Sequence, residues 1–503
     1  MDLARPLIIF EMANNHMGDI GHGLRIVREF KEVADDFPRF QFSIKLQHRD
    51  ETFFHPDFTG RTDFKYIKRF QETKLGKEDF KRLKDAIQDS GFVSMCTPWD
   101  EPSVDLMEEL GFDIIKIASC SFADWPLLER VAKSGKPVIA STAAAGISDM
   151  DSVVAFLSHR NIEFAIMHCV GEYPCTREHL ELNQIAFIKK RYAGIPVGFS
   201  THEEPGNLDS IPIAIGLGAE LFEKHVAVPT EKYPANAYSA TPAQARRWLE
   251  AASAACVMCG VKERRRDIFE RELIDIEPLL RGVFAARPIE KGKKIAAGDY
   301  FCAMPNQPGQ LVARQLSKYT EFCALRDFEK NAPLMLDGLL TRDLHARVKE
   351  ICVRLRAVLK SYQIALPSNV EIEVSHHYGI ERFEETGAIL IHIINRVYSK
   401  ILVVLLPGQS YPRHHHKQKD ETYHLLHGDL IVDADGVETN LKAGDIFSIN
   451  HGTPHGFQTQ SGAVIEEVAT TYIQGDSVYE DAAINSNSSR KTLLKFWPDW
   501  LKD

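Results

Sequence analysis

No apolar run in this sequence approaches the roughly 18 residues that a membrane-spanning helix needs, so an integral membrane protein is not expected. The chain also lacks a block of lysines or arginines and has a formal net charge of −10, which argues against nucleic acid or anionic lipid as a partner. The first residues show none of the segments of a signal peptide, and the nine cysteines are scattered rather than arranged as a disulfide framework. These absences predict a cytoplasmic protein that binds neither nucleic acid nor membrane.

Apolar runs alternate with amphipathic helical stretches over about the first 260 residues, and the whole chain of 503 residues is too long for one core. Continuously apolar runs are typical of parallel strands buried on both faces, and eight strand–helix units in about 250 residues are typical of a (β/α)8 barrel. The runs are residues 7–13, 42–47, 92–97, 113–119, 137–142, 163–169, 196–201 and 219–226. We therefore predict the α/β fold class, with a (β/α)8 barrel over residues 1–262.

Polar and titratable residues crowd at the C-terminal ends of these runs, where such a barrel has its active site. A charged side chain inside an apolar strand costs several kcal/mol unless it is paired or binds a ligand, so a ring of them indicates function. The ring consists of Glu11, Asn15, Lys45, Gln47, Thr97, Lys116, Ser119, Ser141, His168, Ser200, His202, Glu223 and His225. Two lysines among hydroxyls suit a small, multiply charged anion, and two histidines at the ends of successive strands can share one metal ion.

The rest of the chain divides into smaller predicted segments. A charged linker helix over residues 263–280 precedes a compact β-rich domain over 281–342, and a second linker helix covers 343–366. Short alternating strands and glycine turns predict a small β-barrel over 367–490. The tail over 491–503 carries two tryptophans that we expect to pack on a neighbour.

The small β-barrel contains a spaced pattern of glycines, histidines and one glutamate that resembles the cupin family. The pattern is Gly408, His414, His416, Glu421 and Gly428, followed by Gly444, Gly452 and His455. The two-residue period of a strand places His414 and His416 on one face, pointing into the barrel. The pattern predicts that His414, His416, Glu421 and His455 bind a divalent metal, with manganese, iron, nickel or zinc all open.

Eight motifs of the first half follow one another in a fixed order: FEMANNHMGD, IKLQ, CTPWD, IIKIAS, IAST, HCVGEYP, GFSTHE and FEKH. Together they resemble the sialic acid synthase family, whose members condense phosphoenolpyruvate with an open-chain aldose to give a nonulosonic acid. RGVFAARPIEKGKKI and LRDFEKNAPL are similar to the antifreeze-like domain that these synthases carry. The resemblance covers about residues 5–340 and implies a transferase of carbohydrate biosynthesis that releases phosphate and a 2-keto-3-deoxy sugar acid.

The resemblance also implies a role for each ring residue that matches a family motif. The residues that would hold phosphoenolpyruvate are Lys45, Thr97, Lys116, Ser119, Ser141, Asn183 and Ser200. A divalent metal, usually manganese, would be bound by His202 and His225, and the sugar would contact Asn15, Tyr173 and Asn236. Glu11, with Gln47 placing water, would activate or protonate the reacting groups, with Glu223 as the rival. A homodimer in which the antifreeze-like domain covers the partner's site is implied as well.

Three positions depart from the family pattern. Gly171 replaces a serine of the HC-x-S-x-YP stretch, and Ala235 and Asn236 stand where relatives have an acidic residue that grips sugar hydroxyls. Met304 occupies the place of the antifreeze-like arginine that recognises the acetamido group. Losing a bidentate donor typically weakens such a preference by about a few kcal/mol. We therefore expect an aldose other than N-acetylmannosamine, for instance one without a 2-acetamido group.

Three functions stay open on the sequence alone. The first is a phosphoenolpyruvate-dependent synthase with a fused metal-binding cupin. The second is a bifunctional enzyme whose cupin isomerises or epimerises the acceptor sugar, with His424, His427 or Glu467 as acid–base groups. The third is a non-catalytic sugar-binding regulatory protein, for which the departures argue and against which the retained lysines and histidines of the barrel argue.

Overall fold

The computed structural model describes residues 5–58, 60–61, 63–262, 264–367, 370–470, 473 and 475–495. The chain divides into two compact units, Met1–Asp267 and Ile268–Asp503. Trp497 and Trp500, which the sequence predicts to pack on a neighbour, lie outside the described residues.

The first unit is a closed barrel of eight parallel strands, in which each strand pairs with the next and the last pairs with the first. The strands are β1 Leu7–Ala13, β2 Gln41–His48, β3 Val93–Pro98, β4 Ile114–Ile117, β5 Val138–Ser141, β6 Phe164–Cys169, β7 Val197–Thr201 and β8 Leu221–His225. The helices are α1 Ile20–Ala34, α2 Lys65–Glu72, α3 Lys77–Asp89, α4 Glu101–Leu110, α5 Trp125–Ser134, α6 Ile147–His159, α7 Asn183–Arg191, α8 Ser210–Gly216 and α9 Pro242–Cys259. The predicted (β/α)8 barrel is confirmed, with every strand within two residues of its predicted bounds.

Local sequence signals position the helices between the strands. Helix α4 is one example: the Asp100 carboxylate accepts a hydrogen bond from the Ser103 backbone N–H at 2.8 Å and caps the first turn. The helix ends at Gly111, whose φ of +71° is the left-handed conformation that glycine adopts without a steric penalty. Such capping signals fix where each helix begins and ends, and therefore where the next barrel strand starts.

The strand period sorts the side chains of the barrel into two cores. Outward-facing residues such as Ile8, Phe10 and Ile44 pack against the helices. Inward-facing residues form a second apolar cluster that closes one end of the barrel interior: Leu7, Ile9, Met95, Ile114, Ile139, Ala165, Met167 and Leu221. The next inward positions along the same strands are polar. The polar ring therefore lies at the C-terminal ends of the strands, on top of a dry apolar layer.

The second unit begins with a short helix and two small antiparallel sheets. Helix α10 covers Glu270–Ile276, which is shorter than the linker helix that the sequence predicts. The sheets pair β9 Gly282–Ala285 with β10 Tyr300–Ala303, and β11 Thr320–Ala324 with β12 Leu339–Asp343. They share one apolar core, so residues 282–343 form the expected β-rich segment.

Helix α11, His345–Ser361, is an integral part of the next domain and not only a connection. Its buried residues Val348, Ile351 and Leu355 form one core with the strands that follow. The sequence predicts only a linker helix here, over residues 343–366. The structure shows that one apolar face of the helix is buried.

The C-terminal strands of the described chain form an antiparallel sheet of eleven strands, in agreement with the predicted cupin β-barrel. The strands are β13 Glu371–His376, β14 Gly387–Asn395, β15 Tyr398–Leu405, β16 Ser410–His416, β17 Glu421–Ala434, β18 Val437–Lys442, β19 Ile446–Ile449, β20 His455–Gln458, β21 Ala463–Thr470, β22 Ser477–Tyr479 and β23 Lys491–Leu494. Two short helices accompany them, α12 Phe383–Thr386 and α13 Ala482–Ser486.

Gly428 of the cupin pattern has a steric role that can be tested. Its φ is +85°, and an added Cβ would lie 1.8 Å from the backbone oxygen of Gly462. We expect Gly428→Ala to destabilise the cupin by about 3 kcal/mol or more, since overpacking adds to the left-handed penalty. Gly436→Ala is the matched control, because φ is +81° there and a Cβ would meet nothing within 4 Å. Calorimetric unfolding of both variants checks this, and equal destabilisation would contradict it.

Candidate functional site

The centre of the barrel site is a buried cluster of one lysine and two glutamates. The Lys45 ammonium contacts the Glu11 carboxylate on β1 and lies 2.9 Å from Oε2 of Glu223 on β8. All three side chains are almost fully buried. Burial alone would raise the pKa of Glu223, but the ammonium groups of Lys45 and Lys116 outweigh it and lower that pKa below its ordinary value. Glu223 is therefore held as a carboxylate beside the Lys45 ammonium, which also contacts Glu11.

A second buried ammonium, that of Lys116, lies among hydroxyl groups. Lys116 Nζ donates to Ser141 Oγ at 2.5 Å and to the backbone oxygen of Ile117 at 3.0 Å. Ser119 Oγ accepts a hydrogen bond from the Ala143 backbone N–H at 3.1 Å. Within the described residues the Thr97 hydroxyl is buried without a hydrogen-bond partner. A buried hydroxyl without a partner that lines the same cavity as a buried ammonium can bind an anionic ligand.

His202 and His225 face each other across the neighbouring strand ends. Their ring centroids are 5.2 Å apart, and His202 Nδ1 lies 2.8 Å from the backbone oxygen of Val170. That hydrogen bond places the proton on Nδ1 and leaves Nε2 as a free acceptor. Burial lowers the pKa of both histidines, and the neighbouring His202 lowers that of His225 further. Two neutral imidazoles of this kind fit a divalent cation that keeps open positions.

These groups share one open cavity of about 1220 Å3 at the C-terminal ends of the strands. The predicted site residues that line it are Glu11, Lys45, Gln47, Thr97, Lys116, Ser119, Ser141, Tyr173, Ser200, His202, Glu223 and His225. Gly171 lines it as well, at the place where the family pattern has serine. The volume exceeds what a three-carbon acid needs, so the cavity can also hold a sugar.

Four residues singled out from the sequence do not line this cavity. Asn183 is exposed at the first position of α7, because the loop after β6 carries it outward. Asn15 donates to the backbone oxygen of Val226 at 2.7 Å and accepts from Asn236 at 3.4 Å, so this pair ties two loops together. His168 lies on the outward face of β6, 2.7 Å from the backbone oxygen of Leu180. The ligand roles of Asn183, Asn15 and Asn236 stay predictions, and none of the three lines this cavity.

The cavity also contains residues that the sequence did not single out. Tyr238 packs edge-on against His225, with ring centroids 5.1 Å apart. The segment between β2 and α3, which includes helix α2, contributes an aromatic wall whose members are Phe53, Phe54, Phe58, Tyr66 and Phe70. Arg49 and Trp99 complete the mouth of the cavity. The two-residue period from Lys45 through Gln47 was the one sequence signal that could have found Arg49.

The cupin brings its predicted ligands together in its interior. Ligand atoms of His414, His416 and His455 all lie within 4.8 Å of one another, and the three rings are buried. Glu421 Oε1 is 3.0 Å from His416 Nε2, and Oε2 is 3.3 Å from His455 Nε2. His414 Nδ1 and His455 Nδ1 bond backbone oxygens at 3.0 and 2.9 Å, which leaves the Nε2 atoms as the nitrogens that can bind a metal. This donor set fits a divalent first-row metal.

Beside this candidate metal centre lies a buried acid–base group. Lys419 contacts Glu421 and lies 2.8 Å from Glu467 Oε1, and burial raises the pKa of Glu467. His424 instead lies 3.4 Å from Glu466 on the opposite strand face, and His427 stacks on Tyr362. Of the three acid–base candidates named from the sequence, the structure brings only Glu467 to the centre.

Comparison with known proteins gives two family matches. The NeuB family model matches residues 37–264, and the cupin domain model matches residues 401–470. No helix within the described part of the chain is long and apolar enough to cross a membrane.

Three individual proteins illustrate these similarities. An uncharacterized protein of Methanocaldococcus jannaschii is 31% identical over 302 residues, which are 60% of this chain and 85% of that protein. The mouse N-acetylneuraminate-9-phosphate synthase is 29% identical over 228 residues, 44% of this chain and 62% of the enzyme. The crystal structure of a protein assigned to spore coat polysaccharide biosynthesis, protein E of Chromobacterium violaceum, is 48% identical with a TM-score of 0.65; it covers 67% of this chain and 100% of its own.

Proposed function

The chain belongs to the NeuB family, and on that premise we propose that its barrel condenses phosphoenolpyruvate with an open-chain aldose, releasing phosphate and a 2-keto-3-deoxy sugar acid. The observation that carries the proposal is that the buried ammonium groups of Lys45 and Lys116 line one cavity with the buried Thr97 hydroxyl, which has no hydrogen-bond partner among the described residues. A folded protein retains such unsatisfied groups when a charged ligand completes them.

Phosphoenolpyruvate fits the part of the cavity between β3, β4 and β5. Lys116 offers a charge-assisted donor, while the hydroxyls of Thr97 and Ser119 offer neutral ones. Ser141 already bonds Lys116 and holds that ammonium in place. The apolar layer below excludes water from the anion, which strengthens each of these contacts.

The two barrel histidines lie on the opposite side of the cavity from these phosphate-binding candidates along the strand order. When bound there, a divalent cation supplies Lewis-acid polarisation of the sugar aldehyde. His202 Nε2 and the His225 ring face the space where carbon 3 of phosphoenolpyruvate would attack that aldehyde. Tyr173 and Tyr238 pack on these rings and restrict their orientation.

Glu11 is the better placed of the two glutamates for proton transfer at the reacting carbons. Its Oε1 is buried without a hydrogen-bond partner among the described residues. Glu223 instead accepts from Ser200 Oγ at 3.0 Å, and its Oε2, which has no hydrogen-bond partner among the described residues, lies 2.9 Å from Lys45 Nζ as an ion pair. We propose that Glu11 activates the water that adds at carbon 2, with Gln47 placing it, while Glu223 fixes the charge of Lys45.

The experiment that tests this function measures phosphate release from phosphoenolpyruvate with manganese, across aldoses with and without a 2-acetamido group. Turnover that also yields a 2-keto-3-deoxy acid would support the synthase. Turnover with another aldose but not with N-acetylmannosamine would support a changed acceptor. If no aldose gives phosphate release and calorimetry detects no binding of phosphoenolpyruvate, the synthase function is contradicted. A non-catalytic sugar-binding protein is then favoured.

A second candidate function concerns the cupin, and the buried Lys419–Glu467 pair beside the histidines favours it. We propose that this centre isomerises or epimerises the sugar that the barrel consumes, with Glu467 moving a proton between adjacent carbons. Conversion of a ketose or an epimer by wild type, and its loss in Glu467→Gln, would support it. Wild type that leaves every such sugar unchanged would contradict it.

The homodimer stays a prediction, and light scattering of the purified chain would test it.

A further inference from the structure

Arg49 is the last of a row of polar side chains that extends from the proposed catalytic centre to the mouth of the cavity. Lys45, Gln47 and Arg49 occupy alternate positions along and just beyond β2, and all three line the cavity. Alternate strand positions share a face and are about 6.6 Å apart, so the row rises from the reacting carbons to the mouth.

The Arg49 guanidinium stacks on two aromatic rings and has no ion-pair partner among the described residues, while the Asp100 carboxylate acts on its charge only at longer range. Its central carbon lies 3.6 Å from the ring centroid of Phe70 and 4.0 Å from that of Trp99. Nη2 donates to Gln47 Oε1 at 2.9 Å, whereas Nε is buried without a partner. In the described part of the chain no carboxylate pairs with it, and burial lowers the pKa of Arg49 to about 9, so it is still charged at neutral pH. A stacked guanidinium without an ion-pair partner is preorganised for an oxyanion.

The geometry of the proposed reaction says which part of the substrate reaches Arg49. The acceptor aldehyde has to lie near Glu11 and the two barrel histidines, at the level of Lys45. An extended six-carbon chain is about as long as the rise of two strand residues, so its far end reaches the level of Gln47, whose Oε1 accepts a hydrogen bond from Arg49 Nη2 at 2.9 Å. The end of the acceptor remote from the aldehyde therefore faces the guanidinium.

We propose that Arg49 selects an acceptor aldose that carries an oxyanion, a phosphate ester or a carboxylate, at the end remote from its aldehyde. The proposal rests on the synthase function proposed for the barrel. The planar fork of Arg49 matches either anion, and stacking between Phe70 and Trp99 keeps its edge directed into the cavity. It also gives this chain a polar contact to the acceptor although methionine replaces the family arginine at position 304.

The test compares mannose, mannose 6-phosphate and mannuronate, and the matching glucose series, with phosphoenolpyruvate and manganese. The readout is kcat/KM for formation of the keto acid. Wild type should prefer an anionic acceptor over its neutral counterpart by about 10- to 100-fold, the size of a charged hydrogen bond. Arg49→Gln should lose most of that preference, chiefly through KM, and Arg49→Lys should keep part of it. The 6-phosphate and uronate arms identify which anion is bound.

Lys65→Gln is the matched control, since Lys65 is another cation that lines the same cavity. It should keep the preference, whereas a loss equal to that of Arg49→Gln would reduce the effect to general electrostatics and overturn the proposal. Equal losses for neutral and anionic acceptors in Arg49→Gln would mean that Arg49 only packs the loop, which also overturns it.

Calorimetry without turnover separates this proposal from the synthase function. Mannose 6-phosphate and glucose 6-phosphate are titrated into wild type and Arg49→Gln in the presence of manganese. Tighter binding than that of the neutral hexoses, lost in Arg49→Gln, supports the oxyanion site even if no keto acid forms. Equal binding of phosphorylated and neutral hexoses by wild type overturns it, whatever the barrel catalyses.

Discussion

Replacing His202 or His225 with alanine is expected to lower the release of phosphate from phosphoenolpyruvate by about a thousandfold or more. Both rings line the same cavity with centroids 5.2 Å apart, and burial lowers the pKa of each, so loss of either leaves a single candidate ligand. Lewis-acid polarisation of a carbonyl contributes several kcal/mol, and about 4 kcal/mol corresponds to three decades in rate. Phosphate release at saturating phosphoenolpyruvate and manganese measures the effect.

The control is His416→Ala in the cupin, which removes one ligand of the other candidate metal centre. We expect this variant to keep the turnover of the barrel with a supplied aldose while its bound metal, measured by mass spectrometry, falls. His202→Ala should still bind phosphoenolpyruvate, since Lys116 and Ser141 are unchanged. Equal loss of turnover in His416→Ala and His202→Ala would contradict the separation of the two centres.

Lys45→Met is expected to abolish turnover and to destabilise the barrel by about 3–5 kcal/mol. The substitution leaves the carboxylates of Glu11 and Glu223 buried without their shared counter-ion, and breaking a buried ion pair from one side costs this much. Adding Glu11→Gln to Lys45→Met removes one of the two buried carboxylates that have lost their counter-ion. The double variant should therefore recover part of the stability and none of the turnover.

Chemical denaturation of wild type, both single variants and the double variant completes the cycle. A favourable coupling of at least about 1 kcal/mol is expected for residues in contact. Additive losses would mean that the two side chains do not share one charge cluster. Glu11→Gln alone should fold and should still be strongly impaired in turnover, because it removes the carboxylate with the free oxygen.

The barrel could be predicted closely from the sequence because strand periodicity carries most of the information. A side chain two positions beyond an inward apolar residue has to face inward as well, so Lys45, Thr97, Lys116 and Glu223 were found from the pattern. His168 fails by the same rule, since it lies one position off the inward face of β6. Its place at a strand end was right and its direction was wrong.

Loop residues could not be placed in this way because no period governs them. Asn183, Asn15 and Asn236 follow strand ends in the sequence, but hydrogen bonds among the loops decide where each side chain points. The aromatic wall and the stacking of Arg49 depend on the path of residues 50–58 and 63–75 after β2. In the cupin, by contrast, the spacing of the motif was enough to gather His414, His416, His455 and Glu421.

The packing of α11 decides how the cupin can be excised for separate study. A fragment that starts at Pro367 would uncover the apolar strand surface that Val348, Ile351 and Leu355 now shield. It would also lose the bond from Tyr319 Oη to Thr492 Oγ1, 2.7 Å long, which joins the β-rich segment to the strand β23. A fragment intended to remain monodisperse therefore has to begin upstream of His345, and its purification is simplest when the β-rich segment is retained.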